Sequence, residues 1–147
     1  MQEHLSDISH VIQLAVAPVF LLTAIATLIN AMNGRLGRIV DRRRVVLDQL
    51  RHGGHGDASE SAAANEELEL LARRSRLVYL AILFAVLSAL LVCLVVAGAF
   101  IGAMVAVKLA YTVAGLFVAA MCTMIASLGL FLREIYLAVI TGSHYRR

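Results

Sequence analysis

The chain has 147 residues, of which 61% are hydrophobic and 16% charged, and its mean hydropathy is +0.83. A soluble single domain of this length would hold more apolar side chains than one core can bury, so the composition favours a polytopic membrane protein. The net charge of +3 is small, but the 13 basic and 10 acidic residues behind it are placed unevenly along the chain.

The first predicted element is one long helix, about residues 7–51, that crosses a membrane and continues beyond it. Residues 11–32 carry no charge. A helix of that length spans about 33 Å, against a hydrocarbon thickness of about 30 Å. The stretch that follows is rich in arginine, and apolar residues recur within it at helical spacing. We therefore expect a span at 11–32 and an amphipathic stem outside the bilayer.

One side of this first span is polar. Two threonines and an asparagine recur at spacings of four and three residues, which places them on one helical face. If several copies assembled around this helix, these side chains would line a pore, with the acidic N-terminal tail at its outer mouth. The alternative is hydrogen bonding between helices inside one subunit, or at a dry oligomer interface. The candidate pore-lining residues are Gln13, Thr23, Thr27 and Asn30, and the outer-mouth candidates are Glu3 and Asp7.

A glycine-rich break at residues 52–58 separates the stem from a second helix, about residues 59–101. Asp57 and Glu60 have the spacing of a capping box, which predicts a helix start. Together with the histidines of the break they could be imagined as metal ligands, but a solvated linker is the favoured interpretation and no metal site is predicted. The start of the second helix should pair with the stem as an antiparallel cytoplasmic hairpin, in which glutamates such as Glu67 oppose the arginines.

Two further spans are predicted in residues 77–132, which carry one charge, Lys108. A single helix over this stretch would be about 84 Å long, so the chain must cross twice, at 77–101 and 109–132. Gly98, Gly102 and Lys108 mark the connection, and the third helix continues to about residue 141. The predicted fold class is all-α, with three transmembrane helices in one membrane domain (1–147). Repeated small residues favour a homo-oligomer.

Basic residues set the expected orientation. All but Lys108 lie on the side that holds the stem and the C-terminus, which makes that side cytoplasmic and leaves the N-terminus outside. The arginines at the membrane exit could also bind anionic lipids or a protein partner, although the topology signal alone accounts for them. Nucleic acid is not expected as a partner, because no nucleic-acid-binding motif accompanies the charge. The candidate lipid- or partner-binding residues are Arg35, Arg38, Arg42, Arg43 and Arg44.

Two functional hypotheses follow. The hydroxyl groups of the spans lack a histidine or carboxylate partner, so neither catalytic residues nor a cofactor is predicted. The first hypothesis is a homo-oligomeric membrane ion channel lined by the first helix. The second is a non-conducting scaffold or accessory subunit that binds lipid or a protein partner through its arginine-rich stem.

A family resemblance supports the architecture. The run Ala15-Val-Ala-Pro-Val-Phe-Leu-Leu-Thr-Ala-Ile, followed by Asn33-Gly-Arg-Leu-Gly-Arg-Ile-Val-Asp-Arg-Arg-Arg, resembles the signature of a bacterial family of small three-span membrane proteins, domain of unknown function 2721. The resemblance covers nearly the whole chain. It is most specific at Pro18, Arg35, Arg38, Asp41 and Arg42. It implies a bacterial inner-membrane location and brings no activity or catalytic residues.

Overall fold

The protein is built from three long helices. In the computed structural model these are α1 (Gln2–His52), α2 (Ala58–Val105) and α3 (Ala110–His144). The structure describes the backbone of residues 2–52, 58–105 and 110–144, and the side chains of residues 16–52, 59, 61–102 and 111–140. Each helix contains a segment long and apolar enough to cross a membrane. Over the residues described, the predicted all-α class is confirmed, and each of the three helices is a candidate membrane span by its length and composition.

The end of α2 differs from the sequence-based expectation. The predicted helix stopped at residue 101, whereas α2 continues through Gly102 to Val105. A glycine weakens an apolar helix by about 1 kcal/mol and does not by itself end it. A Cβ atom added at Gly98 would lie 3.3 Å from Cγ2 of Val113, so the glycine lets α2 and α3 approach closely. The first and last residues of the predicted break, 52 and 58, belong to α1 and α2. The rest of that glycine-rich break and the predicted connection at Lys108 lie outside the described residues.

The three helices contribute to two compact units. Unit 1 contains Met1–Ile29 and Leu83–Ala126, and unit 2 contains Asn30–Ile82 and Ser127–Arg147. Each unit therefore includes a segment of every helix. In unit 1 the Ser88 hydroxyl donates a buried hydrogen bond of 2.8 Å to the Ala120 carbonyl oxygen. In unit 2 the Ser127 hydroxyl donates one of 2.7 Å to the carbonyl oxygen of Ala81.

Buried positions recur every seven residues in all three helices. A seven-residue repeat keeps the same helical face against a neighbouring helix over many turns. In α1 and α2 the repeat is mainly apolar, but in α3 it passes from a small residue to a hydroxyl and then to a carboxylate. The seven-residue repeat of α3 therefore places the acidic side chain of Glu134 in the core of unit 2. The repeats are Ile25, Met32, Ile39 and Val46 in α1; Leu71, Val78, Ala85 and Val92 in α2; and Ala120, Ser127 and Glu134 in α3.

Candidate functional site

The central ionisable residue of unit 2 is Glu134. Its side chain is only 1% exposed, because it occupies the same packing position as Ser127 one heptad earlier. A buried carboxylate loses several kcal/mol of hydration and therefore needs cationic partners. Residue 134 lies two positions after the third predicted span, so the acid lies where that apolar stretch ends.

Two arginines from the other helices neutralise this carboxylate. Nη1 of Arg35, in α1, lies 3.4 Å from Oε2 of Glu134, and Nη2 of Arg74, in α2, lies 3.0 Å from Oε1. The arginine side chains are 36% and 25% exposed, so each reaches from the core toward the surface. Arg35 also stacks on Phe131, with Cζ 5.4 Å from the ring centroid, a cation–π distance. One acid thus joins all three helices of unit 2.

A cleft of about 360 Å³ lies beside this ion-pair centre. Four guanidinium groups from α1 and α2 line it, together with one carboxylate and two apolar side chains. Its chemistry suits the binding of an anion, because arginine presents planar donors that match carboxylate and phosphate oxygens. The lining residues are Arg35, Arg38, Ile39, Arg42, Leu71, Arg74 and Glu134.

Another ion pair involves one arginine of this arginine cleft. Nε of Arg42 lies 2.7 Å from Oε1 of Glu67, and Nη2 lies 3.3 Å from Oε2, so the fork of the guanidinium meets both carboxylate oxygens. This contact between α1 and α2 confirms that a glutamate of the second helix opposes an arginine of the stem. Both side chains are partly exposed, so the pair orients Arg42 more than it stabilises the fold.

The predicted arginines divide into two groups. Arg35, Arg38 and Arg42 line the arginine cleft, whereas Arg43 and Arg44 do not. Arg44 instead borders a shallow groove whose described lining residues all belong to α1. Sequence reasoning had not assigned Arg74 or Glu134 to a site. Glu134 could have been found, since it continues the heptad spacing of two small residues, Ala120 and Ser127.

The polar face of α1 is exposed in the single chain. The Thr23 hydroxyl donates to the Val19 carbonyl oxygen at 3.1 Å, and the Thr27 hydroxyl donates to that of Thr23 at 2.9 Å. The threonines therefore bond to their own helix rather than across helices. Asn30 is also exposed, and its side chain has no hydrogen bond within the described part of the chain. The side chains of Gln13, Glu3 and Asp7 lie outside the described residues.

This polar face continues along α1 beyond the predicted span. From Asn30 onward the alternation of four and three residues is kept by small and charged residues, all of them exposed. The opposite side of the helix carries the buried apolar heptad. α1 thus has one packed apolar face and one uncovered face made of polar and small residues, which we call the polar stripe. Its described members are Thr23, Thr27, Asn30, Gly34, Gly37, Asp41, Arg44 and Asp48.

Comparison with known proteins gives a family. Neither a curated protein nor a solved structure matches this chain. A family model described as "Protein of unknown function (DUF2721)" matches residues 15–142, which include the described polar stripe and every residue of the arginine cleft. The chain therefore belongs to this family of proteins of unknown function, as the resemblance in its first helix indicated.

Proposed function

We propose that this membrane protein is a homo-oligomer in which copies of α1 surround an axis that conducts small ions. The polar stripe is the observation on which the proposal depends. Polar side chains at membrane depth are usually turned toward a partner helix or water rather than lipid. In the single chain, however, the stripe faces neither α2 nor α3, since its described members are all exposed. Neighbouring copies of α1 would remove from lipid the three stripe members inside the predicted span, Thr23, Thr27 and Asn30.

Among the residues of the polar stripe, Asn30 supports this proposal most strongly. Its amide carries two donors and an acceptor, and these have no partner within the residues described. Leaving such a group in hydrocarbon costs free energy, whereas a water-filled axis would satisfy it. The two threonines need less help, because their hydroxyls already bond to carbonyl oxygens of α1. The acidic residues of the N-terminal tail favour cations slightly.

The proposed setting is a bacterial inner membrane. The distribution of arginines supports a cytoplasmic stem hairpin and C-terminus with an outer N-terminus, because basic residues are retained on the cytoplasmic side. In this orientation an ion would enter past Glu3 and Asp7 and leave along the stem. Neither catalysis nor a cofactor is part of the proposal.

The test measures ionic current before and after chemical modification of a cysteine introduced at the proposed pore axis. In a variant with Cys93 and Cys122 replaced by alanine, Asn30→Cys should place a thiol on the axis, and a charged methanethiosulfonate reagent should reduce the current in planar bilayers. The matched control is Met32→Cys, because Met32 lies on the packed face of the same helix and is fully buried. Absence of any current from the unmodified protein over a range of pH and salt would contradict the proposal.

The arginine cleft favours a second candidate function. A non-conducting scaffold or accessory subunit would use the stem arginines to bind lipid or a protein partner, and the four guanidinium groups around one cleft support such a role. Mutations tested in cells distinguish the scaffold function from the channel function. Replacing Thr27 and Asn30 by leucine should leave a scaffold unaffected, whereas neutralising Arg42, Arg43 and Arg44 should impair it. A channel predicts a loss of function from the leucine variant.

A further inference from the structure

We propose that the arginine cleft is a binding site for a phosphate group, held between guanidinium groups of α1 and α2. The site belongs to the second candidate function and does not require that the protein conduct ions. It also differs from a general basic surface, because Arg43 and Arg44 lie outside it and Arg74 of α2 is part of it.

Charge is the first reason. Among the described residues, four arginines and one glutamate, Glu134, line the cleft, and Arg42 also pairs with Glu67, which is not part of the lining. Positive side chains therefore outnumber negative ones in the described lining, and a bound anion would balance this excess. The guanidinium group of arginine binds phosphate through two parallel N–H donors. Several arginines around one cleft therefore suit a phosphate ligand better than a ligand with a single carboxylate.

An unsatisfied donor is the second reason. Arg74 uses Nη2 to hold Glu134, while its Nε is buried and has no hydrogen-bond partner among the residues described. Buried donors in proteins nearly always have an acceptor. Nε has almost no accessible surface in the single chain, so an oxygen of a bound phosphate would supply this acceptor after a rotation of the Arg74 side chain. Arg38, on the facing helix, has no ion pair within the same part of the chain and is exposed, so its guanidinium is available to the same ligand.

The position of the cleft is the third reason. Arg35 follows the first predicted span, Arg74 precedes the second and Glu134 follows the third, so the three span ends meet at the ion-pair centre. That level is where lipid phosphates lie, and basic pockets between helices bind anionic head groups there. The volume of about 360 Å³ falls within the usual range for small-ligand pockets, about 300–1,000 Å³. The phosphate could belong to an anionic lipid or to a soluble phosphate compound.

Glu134 is a positioning residue in this site. Its carboxylate holds one nitrogen of Arg35 and one of Arg74, which reduces the repulsion between the two guanidinium groups. The remaining N–H groups of both arginines stay available for a ligand. The buried apolar side chains of Ile39 and Leu71 form the apolar part of the cleft lining.

The experiment measures binding to the full chain purified in detergent. Phosphatidylglycerol is titrated and followed by native mass spectrometry, with phosphatidylcholine as the lipid control and inorganic phosphate as a separate arm. The test variant is Arg38→Ala, which lines the cleft without taking part in its buried ion pairs. The matched control is Arg43→Ala, an exposed arginine of the same helix outside the cleft.

We expect Arg38→Ala to weaken phosphatidylglycerol binding by about tenfold or more, the loss of a hydrogen bond to a charged group, while Arg43→Ala changes it by less than about twofold. Arg38→Lys is a second variant that tests the site even if the alanine variant does not fold. It keeps the positive charge but loses the paired N–H donors of the guanidinium group, so we expect it to weaken phosphatidylglycerol binding several-fold. Binding of inorganic phosphate with the same dependence on Arg38, without selective binding of phosphatidylglycerol, would identify a soluble ligand.

Two results would overturn the site. One is that neither probe binds the unmodified protein, and the other is that the Arg38 and Arg43 variants weaken binding equally, which would indicate general attraction to a basic surface. Conductance recorded from the same preparation separates this outcome from failure of the channel proposal. Loss of binding in Arg38→Ala with the current unchanged would support the site and leave the axis independent of it.

Discussion

The cores of the two units differ in the polar side chains that they bury. Each buries a serine that bonds to a backbone carbonyl oxygen, and among the described residues unit 2 also buries a carboxylate. Unit 1 buries Ser88, whose hydroxyl reaches a backbone carbonyl oxygen of α3 at 2.8 Å. Unit 2 buries Glu134, whose two oxygens take nitrogens from Arg35 and Arg74 at 3.4 and 3.0 Å. A hydroxyl needs one acceptor that every backbone provides, and it joins two helices. A carboxylate needs particular cations, and here it joins three helices in one register.

The two kinds of interaction differ in how strictly they fix the arrangement of the helices, and less in how much they stabilise the fold. A hydrogen bond between helices in a membrane contributes about 0.6 kcal/mol on average. A buried ion pair adds little net stability over an apolar contact, yet breaking it costs about 3–5 kcal/mol because a charge remains buried. The centre at Glu134 therefore excludes other arrangements of the helix ends. The serine contacts tolerate them more easily.

The largest effect is expected from removing one cation. Arg74→Met should lower the free energy of unfolding by about 3–5 kcal/mol, because Glu134 would keep only the longer contact to Arg35. Replacing both Arg74 and Glu134 by methionine should recover part of this loss, since no fully buried charge is then left and Arg35, which is 36% exposed, can turn toward solvent. Circular dichroism during denaturant unfolding in micelles measures both. Equal losses in the single and double variants would show that Glu134 is not the charged partner that matters.

A smaller effect is expected at the serine one heptad before Glu134. Ser127→Ala removes the hydrogen bond to Ala81 and should lower the free energy of unfolding by about 1 kcal/mol in the same assay. Ser88→Ala in unit 1 is the matched control and should cost a similar amount, because its bond to Ala120 is of the same kind. A loss at Ser127 as large as that at Arg74 would contradict the contrast between hydroxyl and carboxylate.

The smallest effect is expected at the partly exposed ion pair. Glu67→Gln removes the charge that meets Arg42 and should cost about 0.2–1 kcal/mol, because solvent screens the pair. The loss should shrink as salt is added. The same salt series on Arg74→Met should change its loss much less, because burial shields the Glu134 centre from ions. A similar salt dependence in both variants would indicate that Glu134 is more hydrated than its burial suggests.

The polar stripe illustrates what spacing can and cannot predict. The intervals of four and three residues between Thr23, Thr27 and Asn30 fix their common side, because helix geometry alone sets it. Spacing does not tell whether that side faces α2, α3 or the outside. In the structure the three polar side chains are exposed, because packing buries the opposite apolar heptad that includes Ile25 and Met32.

The sequence by itself determined the three spanning helices, since unbroken apolar runs of bilayer length have no other stable place. It also identified three of the four arginines of the cleft, because they follow the first span. Only the tertiary structure decided that Arg74 completes the cleft and that Glu134 binds Arg35 and Arg74. Residues 35, 74 and 134 are far apart in sequence. Heptad spacing gives the face of each helix, but partners depend on how far the helices slide along one another, which packing settles.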